Sequence, residues 1–505
     1  MRGKGWGDGR WATLGLALLM VAGAALRLAP IGANRFHQDE ALYSFWALQI
    51  STGHDLILNH FRVDKPPLLI YTLALCFKLF GPSEVAARLP SELSSVASIA
   101  LVYYLASRLY GRAVAILAAV LMALSPFNIL FAPTAFTDPL MVAWVLAALC
   151  FAANGALGWS GLMLGLSAAT KQQGLLFAPL AIAIGVRCHK PPPSPVQSWG
   201  GLRGGLSCTL GFLAVMAPVV WWDSLRWQLQ PSYFEQSLIS YGGLTLVDSG
   251  QLIERLRGWG EILYYITASP FLNILLLIGL FCLLLCDLGR RSLLPRAFFD
   301  LVLSGFVALF LLGHWVLSFN VWDRYLLGLV PLLLILLARI IWLASVHPSF
   351  PGRGKGRVDA HHRAFLAVIL LVAVLARPAL VAAQSGYPIG GDHGCYDGIE
   401  AVAAYFRNQA PAGSILYHHW LGWHYSFYMF GFPQVLRWYP SPKKLAEDAI
   451  QVNNAWRYIV FPNGRSTTEA RDALAEEGLE LRGVYSTYGR DGSISFTVYQ
   501  IEDQK

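Results

Sequence analysis

The chain has 505 residues, 55% hydrophobic and 13% charged, with a mean hydropathy of +0.49 and a formal charge of +8. Soluble globular chains carry about 25% charged residues, so this composition excludes a soluble enzyme and points to a polytopic helical membrane protein. The positive charge is no nucleic-acid signature, because the basic residues lie mostly in short loops between apolar runs, where topology accounts for them.

Arg2, Lys4 and Arg10 precede the first apolar run. That run is long and lacks a small-x-small cleavage site, so it reads as a retained helix, not a signal peptide. Eleven spans are predicted, near 11–32, 89–108, 113–131, 138–157, 159–170, 174–187, 204–223, 268–287, 297–317, 325–345 and 364–384. The fifth and sixth are short for a bilayer and are expected to be tilted or broken around Lys171-Gln172-Gln173-Gly174. With the N-terminus in the cytoplasm, the inner loops carry Arg108 and Arg112, then Arg187, Lys190 and Arg203, then Arg290, Arg291 and Arg296, then Arg353, Lys355, Arg357 and Arg363. That asymmetry sets the orientation.

Three segments then lie outside: a first loop at 33–88, a second at 224–267, and everything after 384. Ala41–Ser51 is expected to form an amphipathic turn or two on the membrane surface. The stretch 347–363 is a Gly-, Arg- and His-rich inner linker. The chain divides into a membrane module, 1–384, and an exported small α/β domain, 385–505. In the latter, helices near 398–408 and 467–477 alternate with strands near 414–417, 457–461, 481–486 and 493–501. The seven cysteines form neither a disulfide framework nor a ligand-like spacing, and Cys282 and Cys286, one helical turn apart, read as packing.

Ionisable residues at the outer helix ends are where function is expected. In order they are Asp39-Glu40, Asp64-Lys65 before Pro66-Pro67, Arg88, Asp138 before Pro139, Lys171, and Asp323-Arg324-Tyr325. The predicted topology puts all of them on one side. Asp39 and Asp138 can activate a hydroxyl or bind a cation; Lys65, Lys171 and Arg324 can hold an anion such as phosphate. Each also has a structural reading: Arg88 and Arg324 can snorkel, and Asp138 can cap the helix that begins at Pro139. His37, His54 and His60 are scattered and read as structural or interfacial. In the C-terminal domain Tyr417-His418-His419-Trp420, with Trp423-His424 close by, can bind an acceptor or glycan by stacking, or the domain can be a lid or brace on the outer loops. No third ligand at suitable spacing makes His418 and His419 a metal site.

These segments resemble the GT-C superfamily of membrane glycosyltransferases, in the branch of the protein O-mannosyltransferases and lipid A aminoarabinose transferases. HQDEALYSFWAL, DKPPLLIY, AARLPSELSSV, TDPLMVAW, TKQQG and DRYLLGLVPLLLIL carry the resemblance, in the family's order over roughly residues 10–345. It implies a donor sugar on a polyprenyl (undecaprenyl or dolichyl) phosphate, and attack by an acceptor hydroxyl at the outer face of the membrane, with inversion. The acceptor is a protein, a glycolipid or a polysaccharide. By the resemblance Asp39 is the general base and Glu40 its supporting partner. Lys65 and Arg324, with Tyr325 beside it, meet the donor phosphate. Arg88 orients the first loop or the phosphate, Lys171 is a further donor contact, and Asp138 a second acidic site. Metal dependence differs within the superfamily, so a divalent cation at Asp39 and Asp138 stays open. Asp323, and the Gln-Gln after Lys171, depart from the pattern. The implied location is the plasma membrane of a prokaryote, with the endoplasmic reticulum as the alternative. A transporter or flippase for lipid-linked sugars is disfavoured by the lack of a repeat. A non-catalytic membrane subunit, or an enzyme moving a non-sugar group, stays open.

Overall fold

The computed structural model describes residues 6–188, 198–241, 245–288, 295–346, 357–452 and 454–504. Arg2, Lys4, Lys190, Arg290, Arg291, Arg353, Lys355 and linker positions 347–356 lie outside the described residues, as do the side chains of Arg10 and Arg357. The membrane module is helical: α1 (Trp6–Leu28), α2 (Gln38–Thr52), α3 (Leu68–Phe80), α4 (Glu84–Leu109), α5 (Arg112–Leu124), α6 (Pro126–Phe131), α7 (Thr137–Ala153), α8 (Leu157–Thr170) and α9 (Ala178–Cys188). It continues with α10 (Ser198–Ser224), α11 (Tyr233–Tyr241), α12 (Leu252–Tyr264), α13 (Pro270–Leu288), α14 (Pro295–Val316), α15 (Val330–Val346) and α16 (Arg357–Ala383). Among the described residues, four segments are long and apolar enough to cross a bilayer: Glu84–Leu109, Arg203–Ser224, Arg296–Val316 and His362–Ala383.

Several expectations change. The third span is two helices, because Ser125 before Pro126 is extended (φ −64°, ψ 120°), as steric conflict with the proline ring requires. The first loop holds a further apolar helix, α3, of 13 residues, about 20 Å long and too short for a hydrocarbon core of roughly 30 Å. The segment at 41–51 does not lie on a membrane surface. It belongs to α2, buried through Ala41, Tyr43, Ser44, Phe45, Trp46, Ala47, Leu48 and Ile50 between α3 and a helix of the C-terminal domain. The expected break at 171–174 is present: α8 stops at Thr170, Lys171 is extended, and Gln172–Phe177 form a 3₁₀ turn. Gly174 permits it, since a Cβ there would lie 2.7 Å from the Ser167 backbone.

The C-terminal domain comprises α17 (Ile399–Asn408), β1 (Ile415–His418), α18 (Gly422–Tyr428), β2 (Val435–Trp438), α19 (Pro442–Gln451), β3 (Arg457–Pro462), α20 (Thr468–Glu476), β4 (Leu479–Tyr488) and β5 (Ile494–Asp503). Its sheet runs β2-β1-β3-β5-β4, with β2, β1 and β3 parallel and β5 and β4 antiparallel. Alternation places Leu416, Tyr458 and Val460 with α17 and α18 on one face; Ile415, Tyr417, Ile459 and Phe461 meet α19 and α20 on the other. Both faces are therefore covered, as parallel strands require. The predicted α/β pattern lacked β2, α18 and α19.

Candidate active site

The site is built around the start of α2. His37 is extended (φ −63°, ψ 156°) and caps the helix: the Asp39 N–H donates to His37 Nδ1 at 3.2 Å, and the His37 N–H donates to Glu40 Oε2 at 2.8 Å. Reciprocal capping satisfies two otherwise orphaned donors and fixes the direction of the first turn. Asp39 is thereby held with its side chain 25% exposed, ion-paired to Arg324. Burial raises its pKa, but the charge and hydrogen bond of Arg324, with the charge of Lys65, outweigh burial and hold the carboxyl below the usual carboxylate range.

Glu40 points the other way and is fully buried. It accepts from the Ala135 N–H at 2.7 Å and from Arg88 Nε at 3.1 Å. Arg88 also donates to the carbonyls of Ile31 and Asn34 at 2.8 Å and of Arg35 at 3.0 Å, and to Glu40 Oε2 at 3.4 Å. These five bonds use all five guanidinium N–H groups. Arg88 therefore orients the first loop and has no donor left for a phosphate, which corrects that half of its expected role. Glu40 supports Asp39 through the helix cap and not by facing it.

The other expected residues converge on Asp39. Lys65 Nζ lies 2.6 Å from Asp64 Oδ2 and bonds the hydroxyl of Tyr241, which itself donates to Asp64 at 2.7 Å. Lys171 Nζ lies 2.6 Å from Asp138 Oδ1 and 4.8 Å from the Tyr325 ring centroid. Burial lowers Lys65, with Asp64 and Asp39 opposing; burial brings Lys171 down to about 8 against the pull of Asp138. Arg324 is flanked by the rings of Trp322 (4.5 Å) and Phe136 (5.5 Å), and the charges of Asp39 and Asp138 outweigh burial and raise its pKa. Gln172 and Gln173, the departure after Lys171, tie the site together by donating to the carbonyls of Asp64 (3.1 Å) and Tyr325 (3.0 Å). Asp323, the other departure, accepts from the Arg324 N–H at 2.7 Å and the Gly390 N–H at 2.8 Å, pinning the strap after α16 over the site.

Three cations thus sit among carboxylates, each paired: Arg324 with Asp39, Lys65 with Asp64, Lys171 with Asp138. Such a set suits an anionic phosphate beside a carboxylate that takes a proton. Asp39 and Asp138, the expected positions for a divalent cation, each hold a basic partner in this arrangement. Among the described residues no group of three or more His, Cys, Asp or Glu is arranged as metal ligands. Tyr241, Trp322 and Tyr43 were not singled out from the sequence: Tyr241 is one of several aromatic residues in the second outer loop, Tyr43 lies inside the HQDEALYSFWAL segment, and Trp322 directly precedes Asp323.

Residues 64–222 match the family model described as dolichyl-phosphate-mannose-protein mannosyltransferase. In fold, the chain is similar to ArnT from Cupriavidus metallidurans bound to undecaprenyl phosphate (16% identity, TM-score 0.62, covering 97% of this chain and 98% of that one). The same protein in the apo state gives 16% identity and a TM-score of 0.65, over 98% of both chains. The Archaeoglobus fulgidus oligosaccharyltransferase in the apo form is similar at 14% identity and a TM-score of 0.57, over 98% of this chain and 75% of that one. No curated protein matches the chain in sequence. The family model thus supports the resemblance to GT-C glycosyltransferases over residues 64–222, and the solved structures support it in fold alone.

Proposed function

We propose that the chain is an integral-membrane glycosyltransferase that moves a sugar from a polyprenyl-phosphate-linked donor to an acceptor hydroxyl on the outer face of a plasma membrane. The N-terminus is cytoplasmic, about eleven segments cross the bilayer, and the C-terminal domain is exported. The observation that carries this reading is Asp39: a part-exposed carboxylate, ion-paired to Arg324 and held ionised by it and by Lys65, with the Lys171–Asp138 pair acting on the same Arg324.

The acceptor oxygen attacks the anomeric carbon while Asp39 takes the hydroxyl proton. The carbon–oxygen bond to the phosphate breaks, its electron pair leaving with the polyprenyl phosphate, and attack opposite the leaving group inverts the anomeric centre. Charge building on the departing phosphate is met by Lys65, Lys171 and Arg324. A phosphate that shares Arg324 draws its charge away from Asp39 and so raises the basicity of that carboxylate when the acceptor is in place. Should a divalent cation bind at Asp39 and Asp138, the lysines and Arg324 keep their phosphate role.

The test is transfer from a radiolabelled polyprenyl-phosphate sugar by the purified protein, with a membrane extract as acceptor pool. Asp39→Asn is expected to lower transfer by about 10²–10⁴-fold with donor binding intact. Donor that is bound or carried across the bilayer but never consumed would assign the chain to transport instead.

A further inference from the structure

A cavity of about 450 Å³ opens beside the site, lined by Gln38, Cys395, Tyr396, Trp420, Asn463 and Arg465 among others. Its size falls in the roughly 300–1,000 Å³ range of small-molecule sites. The topology explains its place. β1 and β3 are adjacent and parallel. The chain leaving β1 runs through Trp420 into α18, on one face of the sheet; the chain leaving β3 runs through Asn463–Arg465 to α20, on the other. Neighbouring parallel strands whose following helices part to opposite faces leave a crevice at their carboxyl ends, which is where open α/β sheets bind ligands.

Among the described lining residues Arg465 is the charged one. Its guanidinium lies 4.8 Å from the Trp420 ring centroid, so a flat cation is held against an indole, while Asp392, which accepts from the Cys395 N–H at 2.9 Å, does not itself line the cavity. The turn that carries Arg465 is fixed: the Asn463 N–H donates to Ser495 O at 2.7 Å, the Arg465 N–H donates to Pro462 O at 3.2 Å, and Gly464 has φ +81°. Asn463 and Gln38 also line the cavity; Asn463 Oδ1 accepts from the Gly464 N–H at 3.0 Å, and Gln38 directly precedes Asp39.

We infer that this crevice is the acceptor subsite, and that it takes a saccharide bearing a carboxylate or phosphate. Arg465 binds the anionic group, and Asn463 and Gln38 bind sugar hydroxyls, which directs the neighbouring hydroxyl to Asp39. The inference deepens the transferase reading and rests on it, so its test has an arm that needs no turnover. Cys395 is an exposed thiol in the lining. In the full-length protein, alkylation of Cys395 by N-ethylmaleimide is followed by peptide mass spectrometry with glucose, glucuronate or glucose 1-phosphate present. The anionic sugars are expected to slow alkylation several-fold more than glucose, and Arg465→Ala is expected to remove the difference while Arg465→Lys keeps part of it. Equal protection by all three sugars, or an unchanged difference in Arg465→Ala, overturns the proposal.

In the turnover arm, Arg465→Ala is expected to raise the acceptor KM about tenfold more than the donor KM; equal changes in both overturn the acceptor assignment. Glycolipid and delipidated polysaccharide fractions, supplied separately, show which source carries the anionic sugar. A wild-type protein that consumes no donor sinks the transferase reading, whereas selective protection of Cys395 would still establish the anion site.

Discussion

Asp39 and Arg324 meet across 285 positions of sequence, and what each does depends on the other. The pairing holds Asp39 below the usual carboxylate range, so the acid limb of transfer is expected to lie below that range, where the carboxylate gains its proton. On the alkaline side Lys171, brought down to about 8, is an ammonium below that value and a neutral amine above it. Phosphate affinity is therefore expected to weaken as pH rises through about 8. Lys171→Arg should retain activity at higher pH, read from kcat/KM against pH with the donor varied; an identical alkaline limb in the variant would remove Lys171 from the phosphate site. Arg88→Ala is expected to cost about 3–5 kcal/mol in unfolding measurements, because Glu40 would be left charged and unpaired where no water reaches it. At this scale the sequence showed which residue types gather at the site, since helix ends on one side must converge. It did not show the partners. Whether Arg88 faces a phosphate or the carbonyls of residues 31–35 is decided by backbone that only the folded loop provides.

Elements are set by local rules and then by close approach. Pro126 divides a span and Gly174 allows a turn, as their covalent chemistry demands. Where α8 meets α10, the backbones touch through glycine: a Cβ on Gly161 would lie 1.9 Å from Cys208 O, and one on Gly211 2.2 Å from Gly158 O. Small residues let apolar helices approach when no hydrophobic force draws them together in lipid. Gly161→Val is therefore expected to abolish a monodisperse peak in detergent gel filtration. Gly205→Ala, on the same helix as Gly211 but with nothing within 4 Å, should be tolerated or gain about 0.5–1 kcal/mol from helix propensity. The long spans and the β1, β3, β4 and β5 strands were legible because burial gives them periodic patterns. β2 was not: it is four residues at the sheet edge, Val-Leu-Arg-Trp, partly exposed along its length.

For the whole molecule, the C-terminal domain is part of the site's scaffold as well as a wall of the acceptor crevice. Phe36, three residues before Asp39, is gripped on both backbone atoms: its N–H donates to the Tyr428 hydroxyl at 3.3 Å and its carbonyl accepts from His424 Nε2 at 2.9 Å. Burial brings His424 down to about 4, so it stays neutral and keeps that proton on Nε2 across the working range. Tyr428 also donates to Glu84, and Arg490 bonds the Ala33 carbonyl. Tyr428→Phe is expected to lower kcat more than it raises the donor KM, because it loosens the loop that aims Asp39 and leaves the phosphate-facing cations in place. An equal effect on both constants would place the damage elsewhere. The residues of this clasp were not legible in sequence, where a lid or brace on the outer loops was one of the roles open to the C-terminal domain.

The grip on Phe36 spans 388 positions, and it orders events during biosynthesis. A ribosome makes the loop bearing Asp39 long before it makes Arg324, and makes His424 and Tyr428 later still. A nascent or prematurely terminated chain holds the carboxylate without the residues that aim it, and has no crevice for an acceptor. If the chain is the transferase proposed above, such a fragment is expected to consume no donor, and turnover to begin only when the last domain closes over the first loop.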